Sequence, residues 1–163
     1  MKDLKKETMV IISLIVLAVA SRLLPHPPNF APITGIALFA AAKFQHRLVA
    51  LLLPLACLFL TDLILGLGWI NLFVYGAFGV ISLLGFATKK VKIQTVLLSS
   101  ILFFLISNLG VWLLYYPLSI EGLTTCFTLA IPFFTNTLLG DLAYTAVLFY
   151  SFSTLKNTYL RPA

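Results

Sequence analysis

Charge is what this sequence has least of. Of its 163 residues, 10% are charged and only five are acidic, whereas an ordinary soluble domain is about 25% charged. The hydrophobic share is 61% and the mean hydropathy is +1.06. One core cannot hide that much apolar surface, so a water-soluble globular domain is excluded. Disorder is excluded too, because a chain stays open only when apolar residues are few and charge is high. Cysteine is scarce: Cys57 and Cys126 are too few for a disulfide scaffold. There is no HExxH helix, no GxSxG elbow and no glycine-rich phosphate loop. Those absences remove the familiar routes to zinc hydrolysis, acyl transfer and nucleotide binding. The expectation is a protein that is not an enzyme and holds no cofactor or metal.

What is present is a series of apolar runs, and the class that remains is an integral membrane protein. A span takes roughly 20 apolar residues, so this length holds at most about six or seven. No room is left for a soluble catalytic or nucleotide-binding domain. Any energy coupling would come from a gradient or a partner chain. Six apolar segments are read: Met9 to Leu24, Ile33 to Phe44, Leu48 to Leu65, Ile70 to Ala87, Ile93 to Leu114 and Phe127 to Phe152. Pro25, Pro27 and Pro28 stop the first, and Tyr116-Pro117 ends the fifth. Pro132 lies inside the last and would either kink it or break it. The second segment is short for a span; it is read as a short true span, with a re-entrant segment as the alternative. The lysine-rich start, apolar run and Ala18/Ala20 pair are also the pattern of a cleaved signal peptide, a reading set second to a retained first span. With no repeat or linker, the whole of 1–163 is one transmembrane domain.

The net charge of +6 would suggest nucleic acid in a soluble protein. In a membrane protein it reports topology, because cytoplasmic loops collect Lys and Arg. With the N-terminus inside, Lys2, Lys5, Lys6, Lys43, Arg47, Lys89, Lys90, Lys92, Lys156 and Arg161 all fall on the cytoplasmic side; Arg22 alone falls outside. That parity predicts an all-α bundle of six transmembrane helices with both termini cytoplasmic, and no nucleic-acid partner. It also puts His26 and His46 on opposite faces, unable to share a metal.

Polar residues inside spans are costly and tend to face a cavity or another helix. Asp62 in the third segment, Asn108 and Trp112 in the fifth, and Asn136 and Asp141 in the last all lie in the outer half on this topology. Arg22 is a candidate ion-pair partner for Asp141 or Asp62. Together they suggest an outward-facing ligand pocket, roofed by the loop Pro25 to Pro32 with Asn29 at its lid and by the aromatic stretch Tyr115 to Phe134. The alternative for those aromatics, with Trp69, is an interfacial belt. Ala37 and Ala41 have small-xxx-small spacing, which lets another helix approach closely, from this chain or from a separate subunit.

The runs Ser21–Phe39, Leu60-Thr-Asp-Leu63, Ser107-Asn-Leu-Gly-Val-Trp112 and Ile131-Pro-Phe-Phe-Thr-Asn-Thr-Leu-Leu-Gly-Asp141 resemble a family of small bacterial membrane proteins without established function, carried under a transport label. That family is in turn similar to the substrate-binding S components of energy-coupling-factor (ECF) transporters. The resemblance implies a bacterial cytoplasmic (inner) membrane protein that takes up a small, vitamin-like substrate. It also implies docking through an alanine stripe, here Ala37 and Ala41, on an ECF-type transmembrane subunit with ATPases. The solitary cobalamin transporters are a further relative by this likeness, and there Cys126 would be the cobalt-ligand candidate. The site residues expected are Asn29, Asp62, Asn108, Trp112, Asn136 and Asp141. An ion- or proton-coupled carrier and a non-transport assembly protein are the other classes left open.

Overall fold

The computed structural model describes residues 2–88 and 90–159. Of the basic residues used for topology, Lys89, Arg161 and the side chains of Lys2 and Lys5 lie outside the description. Six helices follow in order: α1 Lys2–Ser21, α2 Ile33–Lys43, α3 Arg47–Leu65, α4 Ile70–Ala87, α5 Ile93–Tyr115 and α6 Ile120–Tyr159. No strand occurs among the described residues. Helices α3, α4, α5 and α6 are long and apolar enough to cross a membrane, which makes this a membrane protein. Their outward faces agree: Ile64 is 72% exposed and Leu72 is 64% exposed, a surface that hydrocarbon accepts and water does not. A helix suits that solvent because it satisfies its own backbone N–H and C=O groups.

Side-chain contacts give each helix its direction. Glu7 meets Lys156 and Ser21 meets Tyr144, so α1 is antiparallel to α6. Phe39 packs edge-on against Phe149 and Phe152, and Lys43 lies 4.3 Å from the Phe152 ring centroid. Helix α2 therefore runs parallel to α6. The Phe78–Phe103 stack and the hydrogen bond from Ser100 to Asp141 complete an up-and-down order through α4, α5 and α6. The bundle thus has a basic end, holding Glu7, Lys43 and Lys156, and an opposite end where α1 hands over to α2.

Helix α2 is the centre of the bundle. All eight residues from Ile33 to Ala40 are buried, and α3, α4 and α6 pack around it. Its 11 residues make about 16 Å of helix, well short of the roughly 30 Å of hydrocarbon. The Ala37/Ala41 spacing does allow close approach, but the helices that approach belong to this chain. Ala37 is fully buried, and a Cβ at Gly85 of α4 would lie 2.7 Å from the Ala41 Cβ. On this side the stripe is approached from within the chain, while Ala41 stays half-buried. On the other side, a Cβ at Gly35 would sit 3.0 Å from the Thr145 backbone nitrogen of α6. A backbone atom cannot rotate away, so Gly35→Ala should lower stability by about 1–3 kcal/mol, as overpacking does. Thermal unfolding in detergent micelles measures this; an unchanged midpoint would show that the contact relaxes freely.

The first and last helices differ from expectation at both ends: α1 begins at Lys2 rather than Met9, and α6 ends at Tyr159 rather than Phe152. Helix α1 ends at Ser21, not Leu24, because the chain tightens there into three-residue turns: Arg22 N to Val19 O, then Leu23 N to Ala20 O. Helix α6 starts at Ile120, seven residues earlier than read, and passes through Pro132 unbroken for 40 residues. Its start is set by Ser119, whose Oγ accepts from the Gly122 N–H at 3.1 Å. A serine in that place satisfies one of the donors a helix leaves free at its N-terminus.

Candidate functional site

Residues 22–32 carry Pro25, Pro27, Pro28 and Pro32, and proline lacks the donor a helix needs. This segment does not build an outer half for α2. It runs down into the bundle as a strap along α6 instead. Asn29 takes a left-handed φ of 65°, tolerable for its short polar side chain, and the turn is closed by Phe30 N to Pro27 O at 3.0 Å. Asn136 Nδ2 donates to Pro28 O at 3.1 Å. The Phe30 ring lies 5.7 Å from that of Tyr144. Gly140 lets the strap in, since a Cβ there would be 3.1 Å from the Ala31 nitrogen.

Because α2 fills only half of its column, space remains beside the strap. It is a cavity of about 200 Å³ lined by Arg22, His26, Asn29, Thr34, Thr137 and Asp141 on its polar side. Leu58, Leu65, Val74, Phe78 and Phe103 supply the apolar wall. Irregular backbone at membrane depth is tolerated where it is buried in protein or lines such a space.

The two charged groups of the lining are held differently. Arg22 Nη2 pairs with Asp62 Oδ1 at 2.7 Å, and its Nη1 donates to Thr61 Oγ1. Asp62 Oδ2 accepts from Asn71 Nδ2 at 2.6 Å and from the Tyr75 hydroxyl at 2.9 Å. One carboxylate thus ties together α3, α4 and the end of α1. Asp141 is 3% exposed. Its Oδ2 accepts from Ser100 Oγ at 2.6 Å, and the Thr34 hydroxyl in the first turn of α2 also bonds to it. Among the described residues, no Lys, Arg or His pairs with Asp141.

The expected residues separate accordingly. Arg22, Asn29 and Asp141 line the cavity. Asp62 stands behind Arg22, and Asn136 anchors the strap from outside. Asn108 and Trp112 are elsewhere: Asn108 Nδ2 donates to Phe104 O of its own helix, and Trp112 Nε1 to Pro117 O in the α5–α6 turn. Their polar atoms serve the backbone, which is how a polar side chain becomes cheap in lipid. Cys126 is buried beside the Asn108 carbonyl, not in the cavity lining. Neither Trp69 nor any of the aromatics of Tyr115 to Phe134 lines the cavity, and Trp69 and Tyr115 are exposed, as belt residues are. Thr137 is expected on the Asp141 face from its spacing in the last segment, whereas Thr34, Ser100, Phe78 and Phe103 are not singled out by the sequence. A hydroxyl pair such as Ser99-Ser100 inside an apolar helix was the available signal.

Among the described residues no group of His, Cys, Asp and Glu is arranged to hold a metal ion. No curated protein and no solved structure matches the chain. The sequence over residues 2–163 matches the profile of a family of unknown function, DUF6580, and the chain belongs to that family.

Proposed function

We propose that this protein is a substrate-binding membrane transport protein that takes up a small molecule, in the manner of an S component. On this reading it has six spans, both termini in the cytoplasm, and its place in the bacterial inner membrane. The observation that carries the reading is the half-length α2: a cavity with polar groups on one part of an otherwise apolar lining occupies the rest of its column, away from the end that holds Lys43 and Lys156. A structural bundle would gain packing by extending that helix. The cavity also bounds the substrate. At roughly 30 Å³ per water it has room for about seven waters, below the 300–1,000 Å³ of most drug-sized pockets. A single-ring vitamin-like compound suits it; a corrinoid does not. Ala37 is buried and Ala41 half-buried, so docking on an ECF-type subunit with ATPases would use Ala41 and residues beyond the stripe.

Native mass spectrometry of the protein released from nanodiscs tests the proposal. The expected result is one small molecule retained and lost on mild activation. A spectrum of bare protein from several expression conditions would sink it. A proton- or ion-coupled carrier is the second reading, favoured by Asp141 having hydroxyl partners but, among the described residues, no cation. Uptake into sealed vesicles that follows the pH gradient without any ATPase would select it.

A further inference from the structure

We propose that the cavity takes a small organic cation, its ammonium group seated between the Asp141 carboxylate and the rings of Phe78 and Phe103. This rests on the reading of the cavity as a ligand site.

The charges are the first argument. Arg22 and Asp62 neutralise each other across 2.7 Å. The other titratable groups of the lining are His26 and Asp141, and Asp141 is the acidic one. Its partners Ser100 and Thr34 are hydroxyls, and they bring dipoles without a full positive charge. A carboxylate 3% exposed in a membrane bundle is relieved by a proton or by a counter-charge. The cavity it lines is where that charge can enter. An anionic ligand would meet Asp141 unscreened, while the Arg22 guanidinium is already engaged by Asp62 and Thr61.

The wall is the second argument. A hard inorganic cation wants six or more oxygen ligands. Here Asp141 is the one carboxylate among the described lining residues, the other oxygens are neutral ones from Thr34, Thr137, Asn29 and the neighbouring Ser100, and the rest of the lining is largely hydrocarbon. Phe78 and Phe103 lie side by side, ring centroids 5.1 Å apart and tilted 35°, and both face the cavity. An aromatic face attracts a cation within about 6 Å of its centroid. A lining that holds one carboxylate and two rings suits an alkylammonium, whose charged head sits on an otherwise apolar body. The volume of about 200 Å³ limits that body to one ring or a short branched chain.

The test uses three probes with one carbon skeleton and different charge: isobutylammonium, isobutanol and isobutyrate. Each is equilibrated by dialysis against the full-length protein in micelles, with protein-free micelles as the baseline. Isobutylammonium should bind at least tenfold more tightly than isobutanol, and isobutyrate should not bind. Asp141→Asn, which keeps an acceptor for Ser100, should cut isobutylammonium affinity at least tenfold and leave isobutanol within twofold. Phe103→Leu, which keeps apolar volume but removes a ring, should lower isobutylammonium several-fold and spare isobutanol. Equal binding of the alcohol or the acid to the unmodified protein would overturn the cation assignment while the ligand site stands. Binding of none of the three would overturn both.

Discussion

Asp62→Ala is expected to cost about 3–5 kcal/mol of folded-state stability, the range for removing one partner of a buried ion pair. The Arg22 and Asp62 side chains are only 15% and 4% exposed. Alanine would leave the guanidinium without its countercharge at a depth where water is scarce. It would also strip Asn71 and Tyr75 of the oxygen to which both donate. The magnitude comes from stranding a charge, not from the worth of the pair. The double variant Arg22→Met/Asp62→Leu should therefore recover most of the loss, because matched apolar side chains often replace a buried pair at little cost. Reversible unfolding in mixed micelles, titrated with a denaturing detergent, measures both. A loss below 1 kcal/mol for the single variant would mean that Arg22 reaches water easily. A double variant as unstable as the single one would mean that the hydrogen bonds to Asn71 and Tyr75 dominate instead.

Val74→Phe should abolish ligand retention while the protein stays folded. Val74 belongs to the cavity wall and lies one turn before Phe78 on α4, and no side-chain hydrogen bond is lost with it. A cavity of about 150 Å³ holds benzene, so a phenyl ring projected into this space of about 200 Å³ in place of an isopropyl group leaves too little room for a ring-sized ligand. The expected readouts are a native mass spectrum of bare protein and a loss of at least a hundredfold in probe affinity. The thermal midpoint should fall little or rise, since a void is being filled. Undiminished retention would place the ligand somewhere else on the bundle.

The helices themselves were plain in the sequence. Lipid forces the backbone to satisfy its own hydrogen bonds, so long apolar runs between Pro, Gly and Lys clusters leave little choice. What was hidden is rotation. Helices that are apolar nearly all round carry no stripe to say which side faces inward. Hence Asn108 and Trp112 looked like ligand contacts, although they bond to backbone within α5 and its following turn, while Thr34 and Ser100 passed unnoticed beside Asp141. Asp62 and Asp141 were both visible as costly carboxylates, but only three-dimensional contact decides which of them takes Arg22. The start of α6 was missed for a different reason. Residues 119–125 are too polar to read as a span, and Ser119 announces a helix only once a capping role is sought.

The length of α6 bears on the bilayer itself. Forty residues make about 60 Å of helix, twice the roughly 30 Å of a typical hydrocarbon layer. Even at a lean of about 40°, near the limit for such helices, its ends must stand in the headgroups or beyond. Glu121 and Thr124 at one end and Lys156 and Asn157 at the other suit that setting. A thinner bilayer makes α6 lean further. The strap and α2 are fastened to it and Asp141 lies on it, so membrane thickness would set the tilt of the cavity within the bilayer.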